Sequence, residues 1–384
     1  MIVVQESVDS KSTLSDLPSA SPLATASLVL VFGSTKRFNE GKLLSTLKLR
    51  YPAAVVVGCT TSGEIGPDGV FDDSIQITAI QWDKVIQRVT QSTSSTMQDS
   101  FETGASLANH LEATTLRTVL VISDGLHVNG SELISGFQSI LGDTPIIGGL
   151  AGDGRKFVKT LQLFNDTISD NMVIAVGLYG DSLITSSGAL GGWKPYGPPR
   201  KVTKSVKNVV YELDGKPALS LYKMYIGAAF SKHLPGSGLK FPLAVIEEGK
   251  RDVEKIRTLL SINANDNSLT FAGNIKEGET VRLCQTNHDK LVEGAGAAAN
   301  LVIDGLGAQK TNQTGLALCV SCVGRKGVME EQVVDEVRLV QQILGPKTSV
   351  AGFYSYGEIA PRPNTTDSVL HNQTMAIGYL SEKL

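Results

Sequence analysis

Three stretches of the chain repeat one short pattern, in which an apolar run enters a glycine and a polar, glycine-containing loop follows. Residues 53–65 read AAVVVGCTTSGEI, residues 145–154 read PIIGGLAGDG, and residues 349–359 read SVAGFYSYGEI. Self-similarity along a chain indicates that one supersecondary unit has been copied. The chain is therefore expected to fold around repeats of this unit.

The segments around each loop repeat as well. An apolar strand and a helix-like stretch precede each loop and a further strand follows it, so the unit reads β–α–β–loop–β three times. A strand–helix–strand step of this length predicts parallel strands with a right-handed crossover, and the last strand is expected to return antiparallel in a mixed sheet. The first strands are residues 27–32, 119–123 and 316–321, the helices are 40–50, 131–141 and 330–344, and the last strands are 74–82, 171–178 and 374–380.

A fourth, weaker stretch lies between the second and third copies. Its pattern predicts a helix over residues 252–260 and a hairpin over 268–284 that turns at 276–279. A helix rich in alanine and glycine is predicted over 290–303, where small side chains indicate close packing against another element.

The domain organisation follows from breaks in these patterns. The segment GGWKPYGPPRK at 191–201 is punctuated by proline and glycine, and an Asp-Gly turn follows it. We predict a polar leader over residues 1–24 that is partly disordered, an N-terminal α/β domain over 25–216 and a C-terminal α/β domain over 217–384. The fold class is α/β, with two domains whose mixed β-sheets are built from repeated β-α-β-loop-β units with flanking helices.

Charge and hydropathy exclude several classes of protein. The 35 basic and 38 acidic residues give a net charge of −3 without a dense basic stripe, so we expect no nucleic-acid partner. No run of about 18 apolar residues occurs, so no membrane span is expected. The N-terminus lacks an export signal, which predicts a cytoplasmic protein with reduced cysteines.

The repeated loops are the predicted binding site. Open α/β sheets hold ligands at the carboxyl ends of their strands, so three such loops facing one another would frame one pocket or two. Tyr354 and Tyr356 alternate along the chain, so an extended backbone would point both to one side, to stack on a ring or to fill a core. The predicted ligand-binding residues of these loops are Cys59, Thr60, Thr61, Ser62, Glu64, Asp124, Gly149, Asp153, Arg325, Tyr354, Tyr356 and Glu358.

This set of side chains suits a small, amino-acid-like zwitterion. Loop N–H groups and Arg325 would hold its carboxylate. Glu64, Asp124 or Glu358 would hold its ammonium group. The alternative is that the glycines make only tight turns and that the acidic residues cap helices.

The motifs GCTTSGEI, GGLAGDG, GFYSYGEI and HNQTMAI resemble the FIST family, in its N-terminal and C-terminal domains together, over about residues 25–382. The segments ELDGKPALSLYKMYIG and CVGRK are similar to the family's domain junction and to its later arginine-containing strand end. The resemblance implies a cytoplasmic sensory module of bacterial signal transduction that binds small ligands such as amino acids. It would act through a partner such as a histidine kinase or a cyclic-di-nucleotide enzyme. His371 and Asn372, in the last motif, join the predicted ligand-binding residues.

Haem is an alternative ligand, because some stand-alone members resemble haem proteins that sense nitric oxide and regulate a histidine kinase. His371 is the axial ligand best placed by its motif, and His127, after a predicted strand end, is the second candidate. A lone histidine is also typical of a hydrogen-bonded structural residue. The sequence has no CxxCH motif, so a haem would not be covalently attached.

A thiol enzyme is the third interpretation. Cys59 stands after a strand and before a glycine turn, as a nucleophile would, which points to a thiol-dependent transferase or hydrolase. Cys319 and Cys322 spell CxxC within an apolar strand, where we expect buried structural thiols. We predict a sensor rather than an enzyme, in which the ligand closes the two domains and alters a partner-binding surface.

Overall fold

Three copies of one mixed sheet form the body of the chain. The computed structural model describes residues 1–18, 20–94, 96–246, 255–307 and 314–383. The elements of the first copy are β1 (Ile2–Val8), β2 (Leu28–Gly33), α1 (Thr35–Phe38), α2 (Leu43–Arg50), β3 (Val55–Thr60), β4 (Glu64–Gly66), β5 (Gly69–Phe71) and β6 (Ile75–Gln81). β2 and β3 are parallel, and β6 is antiparallel to β2, as predicted. β1 pairs with β6 along its whole length, so this part of the predicted leader is an edge strand rather than a disordered segment.

The second copy repeats this arrangement, but one of its two helices precedes the first of its parallel strands. Its elements are β7 (Ile86–Thr93), α3 (Ser100–Leu111), β8 (Leu116–Ser123), α4 (Gly130–Leu141), β9 (Ile146–Leu150), β10 (Gln162–Phe164), β11 (Thr167–Ser169) and β12 (Met172–Tyr179). β8 and β9 are parallel, and β12 lies antiparallel between β8 and β7. The predicted β–α–β–loop–β order is therefore present here too.

An outer layer follows the edge strand β13 (Leu183–Leu190). Its elements are β14 (Lys194–Val206), β15 (Val209–Leu213), β16 (Lys216–Pro217), α5 (Ala218–Ser231), β17 (Leu243–Ile246), β18 (Lys255–Arg257), β19 (Leu259–Asn263), β20 (Ser268–Phe271) and β21 (Thr280–Gln285). The strands form one eight-stranded sheet, and a short 3-10 helix spans Gly236–Lys240. This sheet packs on α5 around its own apolar cluster.

Two predictions for the outer layer are wrong. The predicted helix over 252–260 begins outside the described residues, and its described part lies in β18 and β19, because pairing with β17 and β20 extends this segment. The predicted hairpin does not form, because the long β14 pairs with β21 along its first half and with β15 along its second. β20 therefore pairs with β15 and β19, apart from β21.

The third copy completes the body. Its remaining elements are α6 (His288–Leu306), β22 (Gly315–Cys322), α7 (Val323–Met329), α8 (Val334–Leu344), β23 (Thr348–Ser355), β24 (Gly357–Pro361), β25 (Ser368–His371) and β26 (Met375–Glu382). β22 and β23 are parallel, and β26 lies antiparallel between β22 and β13. The predicted Ala- and Gly-rich helix is α6. No helix among the described residues has the length and apolar composition needed to cross a membrane.

Each copy donates a hairpin to the sheet of another copy. The β4–β5 hairpin of the first copy pairs with β23 of the third, the β10–β11 hairpin of the second pairs with β3 of the first, and the β24–β25 hairpin of the third pairs with β9 of the second. The exchange closes a ring of three six-stranded sheets. The predicted boundary at 216/217 does not coincide with a sheet edge, because β4, β5 and β13 lie in the sheet of the third copy.

The inner faces of the three sheets share one apolar core. It contains Leu30, Ile122 and Leu318 from the three first strands, and Phe32 packs on Phe353 with ring centroids 4.7 Å apart. Helices cover the outer faces: α2 on the first sheet, α3 and α4 on the second, and α6 and α8 on the third. Each such buried side chain contributes about 1.5–3 kcal/mol, so the shared core holds the ring together.

Each apolar run of the repeat ends in a glycine because a larger residue does not fit there. Each glycine lies on the second strand of its copy, opposite the first, parallel strand. A Cβ at this position would overlap a backbone carbonyl oxygen of that strand, so no other residue fits without separating the strands. The glycines are Gly58, Gly148 and Gly352, and the carbonyls belong to Val31, Val121 and Cys319.

We therefore predict that Gly352→Ala lowers the free energy of unfolding by more than about 3 kcal/mol, because the methyl group overlaps the Cys319 backbone of the neighbouring buried strand and Gly352 has a φ of 154°. Gly41→Ala is the matched control, since a Cβ there meets nothing within 4 Å and its expected effect is below about 1 kcal/mol. Urea unfolding followed by circular dichroism measures both. Equal stability of the two variants would contradict this steric explanation.

Candidate functional site

The three repeated loops meet where the hairpins cross between sheets. The Ser62 N–H donates to the Tyr354 carbonyl at 2.8 Å, and the Tyr354 N–H donates to the Gly63 carbonyl at 2.8 Å. The Gly152 N–H donates to the Thr60 carbonyl at 2.9 Å. The three loops thus meet by hydrogen bonding directly to one another. Their N–H groups are therefore used within the fold.

Glu64 is a buried acceptor that ties the first loop to the strand after it. Its carboxylate accepts hydrogen bonds from the Thr61 hydroxyl, from the Ser74 N–H at 3.0 Å and from the Ser74 hydroxyl at 2.8 Å. Burial raises its pKa to about 7, against the opposing effect of these hydrogen bonds.

Glu358 occupies the equivalent position in the third copy. It accepts from the Ser355 hydroxyl at 2.8 Å and from the N–H and hydroxyl of Thr374 at 3.1 and 3.0 Å. Burial raises its pKa to about 8. In the second copy the equivalent residue is Gln162, whose amide oxygen accepts from the Met172 N–H at 2.9 Å. Because a neutral amide serves in one copy, the shared role of this position is to accept the N–H of the strand that follows.

Asp124 and Asp153 hold the backbone of the second copy. Asp124 is fully buried and accepts from the N–H groups of Leu126 and His127 and from the Thr160 hydroxyl. The predicted haem candidate His127 is half-exposed, and its Nδ1 lies 3.2 Å from the Asp124 carboxylate. These contacts fix the turn between β8 and α4.

Asp153 accepts hydrogen bonds from three consecutive N–H groups, those of residues 157, 158 and 159, each at 2.8 Å. The Tyr356 hydroxyl donates to the same carboxylate. Burial acts to raise the pKa of Asp153, but these hydrogen bonds outweigh it and lower the pKa. An ionised Asp153 therefore fixes the loop that carries Phe157.

Arg325 and Tyr354 belong to a buried network beneath the third sheet. The Arg325 guanidinium forms a salt bridge with Glu336 and donates to the carbonyls of Gly191 and Leu291 at 2.6 and 2.8 Å. The Tyr354 hydroxyl donates to Glu336 at 2.7 Å. This network joins α6, α7 and α8 to the sheet, and Arg325 is fully buried in it.

The expectation that Tyr354 and Tyr356 face one side is wrong. β23 ends at Ser355 and β24 begins at Gly357, so the chain passes from one sheet to another at Tyr356. Tyr354 consequently packs in the apolar cluster of the third sheet, whereas Tyr356 packs in that of the second.

The predicted axial ligand His371 does not fit a haem. Its ring is 5% exposed, and Nε2 donates to the Ala360 carbonyl at 3.1 Å. Burial lowers its pKa to about 4, so the ring is neutral at physiological pH. Asn372 is also buried and donates to the His371 carbonyl at 2.8 Å. Across the described ranges, no group of three or more His, Cys, Asp or Glu side chains is arranged to hold a metal ion.

Cys59 lacks the features of a nucleophile. It is fully buried in the shared core, and burial raises the pKa of its thiol well above the ordinary value. Nucleophilic cysteines need an accessible thiolate. Cys319 and Cys322 are buried free thiols, as expected, and the Cys322 sulfur accepts from the Gly324 N–H at the start of α7.

A cavity of about 570 Å³ lies between the second copy and the outer layer. One wall comes from the turn after β8, the end of β9 and the loop after Asp153. The other wall comes from the 3-10 helix, β19 and the residues around Phe271. This volume is typical of small-molecule sites. The apolar side chains that line it are Met97, Leu126, Val128, Leu150, Phe157, Pro235, Leu239, Leu259, Leu260, Phe271, Ala272 and Tyr356.

A second, polar cleft of about 260 Å³ lies beside α4. Several of its charged side chains are already in contact with neighbouring groups: Arg362 lies 3.4 Å from Asp367, and Asn274 donates to Glu132 at 2.7 Å. Because these groups are already in contact, we take the larger, apolar cavity as the candidate functional site.

The sequence located the neighbourhood of this site but few of its residues. Of the predicted ligand-binding residues, all of which lie in described ranges, only Tyr356 lines the larger cavity. Asp124 and Gly149 lie one residue from lining residues, and Asp153 supports the wall. Arg155 and Phe157 were missed, although they directly follow the GGLAGDG motif. Leu260 and Phe271 carry no sequence signal, because the folding of the outer layer brings them to the cavity.

Mixed sheets with flanking helices define a two-domain α/β protein. The FIST N domain matches residues 27–216, and the FIST C domain matches residues 218–361. The chain therefore belongs to the FIST family, whose domains are sensory.

Individual relatives are distant. An uncharacterized protein of Methanocaldococcus jannaschii is 28% identical over 200 residues, which cover 47% of this chain and 36% of that protein. An uncharacterized protein of Mycobacterium tuberculosis is 27% identical over 252 residues, which cover 63% of both. The chain thus spans less than two thirds of the length of these relatives.

A crystal structure of cyanuric acid hydrolase from A. caulinodans aligns over 100% of this chain and 99% of its own, with a TM-score of 0.40 and 8% identity. A likeness this weak says nothing about chemistry.

The burial of Glu358 predicts that the free energy of unfolding depends on pH. Its pKa is about 8 in the folded chain and near 4.5 when unfolded, so the folded state retains a proton and loses stability as pH rises toward 8. Between pH 7 and 8.5 the free energy of unfolding should fall by about 1 kcal/mol more in the wild type than in Glu358→Gln. Above pH 7, His371 is mostly neutral in both states and contributes little.

Urea unfolding at several pH values measures this slope. Glu112→Gln, at an exposed helix end, is the control and should keep the wild-type slope. An unchanged slope in Glu358→Gln would show that Glu358 is ionised throughout this range.

Proposed function

We propose that this chain is a non-enzymatic sensor of signal transduction, which binds a small molecule in the cavity between the second copy and the outer layer. The observation that carries the proposal is the cavity itself, about 570 Å³ in volume and lined mainly by apolar side chains from two separate layers. Membership of a sensory family supports the same function. The chain would act in the cytoplasm.

Polar contacts between the second copy and the outer layer are centred on Asn274, which accepts from the Asn129 amide at 3.1 Å and donates to Glu132 at 2.7 Å. The walls of the cavity themselves are mainly apolar and come from different layers. A ligand that contacts both walls would therefore favour arrangements in which the outer layer is closed over the second copy. Such a ligand shifts the population toward the closed form, and a partner that distinguishes the two forms reads the signal.

The partner would be a histidine kinase or a cyclic-di-nucleotide enzyme, as the resemblance implies. The haem and thiol-enzyme alternatives find no support in the surroundings of His371 and Cys59 described above. An amino-acid-like ligand is supported less than an apolar one, because the walls are mainly apolar.

The test uses N-phenyl-1-naphthylamine, a neutral apolar fluorophore small enough for the cavity. We expect the wild type to bind one equivalent, measured by fluorescence titration. Leu260→Trp should weaken binding at least about tenfold, because Leu260 is 40% exposed and lines the cavity, so a larger side chain there can fill it. Leu49→Trp, at a 77% exposed position on α2, is the matched control and should bind as the wild type does.

Hydrogen exchange checks the population shift. Binding should slow amide exchange over residues 236–246 and 259–273 of the outer layer, because these segments form the moving wall. Wild-type protein that binds no fluorophore, or Leu260→Trp that binds it as tightly as Leu49→Trp does, would overturn the proposed function.

A further inference from the structure

Among the described residues that line the cavity, one side chain, that of Arg155, is charged. Arg155 is exposed at its rim, two residues after Asp153. Among the residues that the structure describes, Arg155 has no ion-pair or hydrogen-bond partner. No aspartate or glutamate is found among the described residues that line the cavity. The described lining therefore offers a counter-ion to an anion but none to an ammonium group.

The other polar side chains of the lining already make hydrogen bonds within the protein. Asn129 caps α4 and donates to Asn274 at 3.1 Å. Asn208 donates to the Phe271 carbonyl at 2.8 Å, and the Tyr356 hydroxyl donates to the Asp153 carboxylate. A ligand consequently meets apolar surface over most of its extent and one cation at the rim.

Two aromatic rings form a flat part of the wall. Phe157 and Tyr356 are stacked, with ring centroids 4.3 Å apart and planes 12° apart, and both line the cavity. Asp153 holds this pair, because its carboxylate accepts the Phe157 N–H and the Tyr356 hydroxyl together. Phe157 has a φ of 54°, a conformation that a phenylalanine rarely adopts, so the surrounding hydrogen bonds determine where its ring lies.

We propose that the cavity selects a planar, apolar monoanion, an aromatic carboxylate or sulfonate, whose ring packs against Phe157 and Tyr356 and whose acid group pairs with Arg155. Aromatic stacking and a charge-assisted contact to a guanidinium are the interactions that these side chains supply. This inference rests on the proposed function and names the ligand class of the same cavity. It replaces the amino-acid-like zwitterion predicted from the sequence.

The test compares two probes that share one ring system. 1-Anilinonaphthalene-8-sulfonate carries a sulfonate, and N-phenyl-1-naphthylamine lacks it. We expect Arg155→Ala to weaken binding of the sulfonate about fivefold to tenfold and to leave the neutral probe unchanged. Arg155→Glu should weaken the sulfonate further, because it places a like charge at the rim. Arg338→Ala, which removes another exposed arginine, is the matched control.

The aromatic wall is tested with the same probes. Phe157→Ala should weaken both about tenfold, because both lose the stacked ring. Phe230→Ala is the matched control, since Phe230 is a partly exposed ring that packs on Phe241 outside the cavity lining. Thermal unfolding of each variant shows whether it is folded before binding is measured.

The outcomes separate this inference from the proposed function. If the wild type binds neither probe, the proposed function fails and this inference fails with it. If the neutral probe binds and Leu260→Trp weakens it, but Arg155→Ala and Arg155→Glu bind the sulfonate as the wild type does, the ligand class is wrong while the sensor function stands. Selective loss of sulfonate binding in both arginine variants, with loss of both probes in Phe157→Ala, supports the inference.

Discussion

The exchange of hairpins between the three sheets is the constraint on which the rest of the structure depends. In each copy the second strand would present an unpaired edge, and a hairpin from another copy pairs with it. Because the exchange runs in a circle, each sheet is complete only when all three copies are folded. The loops that lead into the hairpins must cross from one sheet to another, and for this reason they meet and hydrogen-bond to one another.

The candidate site arises where the second copy departs from the other two. The first copy reaches its hairpin six residues after Gly58, at Glu64, whereas the second reaches Gln162 only after a longer loop from Gly148. That additional chain carries Arg155 and Phe157. The cavity thus lies at the one copy whose loop is long enough to leave the shared core and face the outer layer.

Several polar residues that resembled ligand-binding groups in the sequence hold the fold together instead. Glu64 and Glu358 accept the N–H groups of the strands that follow them, and Arg325 pairs with Glu336 beneath the third sheet. The local sequence pattern, a polar residue beside a glycine loop, is the same whether that residue binds a ligand or another part of the chain. Only the positions of the partners distinguish the two cases, and a partner can be far away in the sequence, as Gly191 is from Arg325, at 134 residues.

The sequence by itself determined the repeated unit, the parallel strand pairs and the positions where only glycine fits, because these depend on apolar periodicity and backbone sterics within one copy. It also carried the motifs that identify the family. The tertiary structure alone decided which sheet each hairpin joins, how β20 and β21 pair, and where the cavity lies. These outcomes depend on contacts between segments far apart in the chain, such as Phe157 with Tyr356 and β19 with the second copy, for which local pattern provides no information.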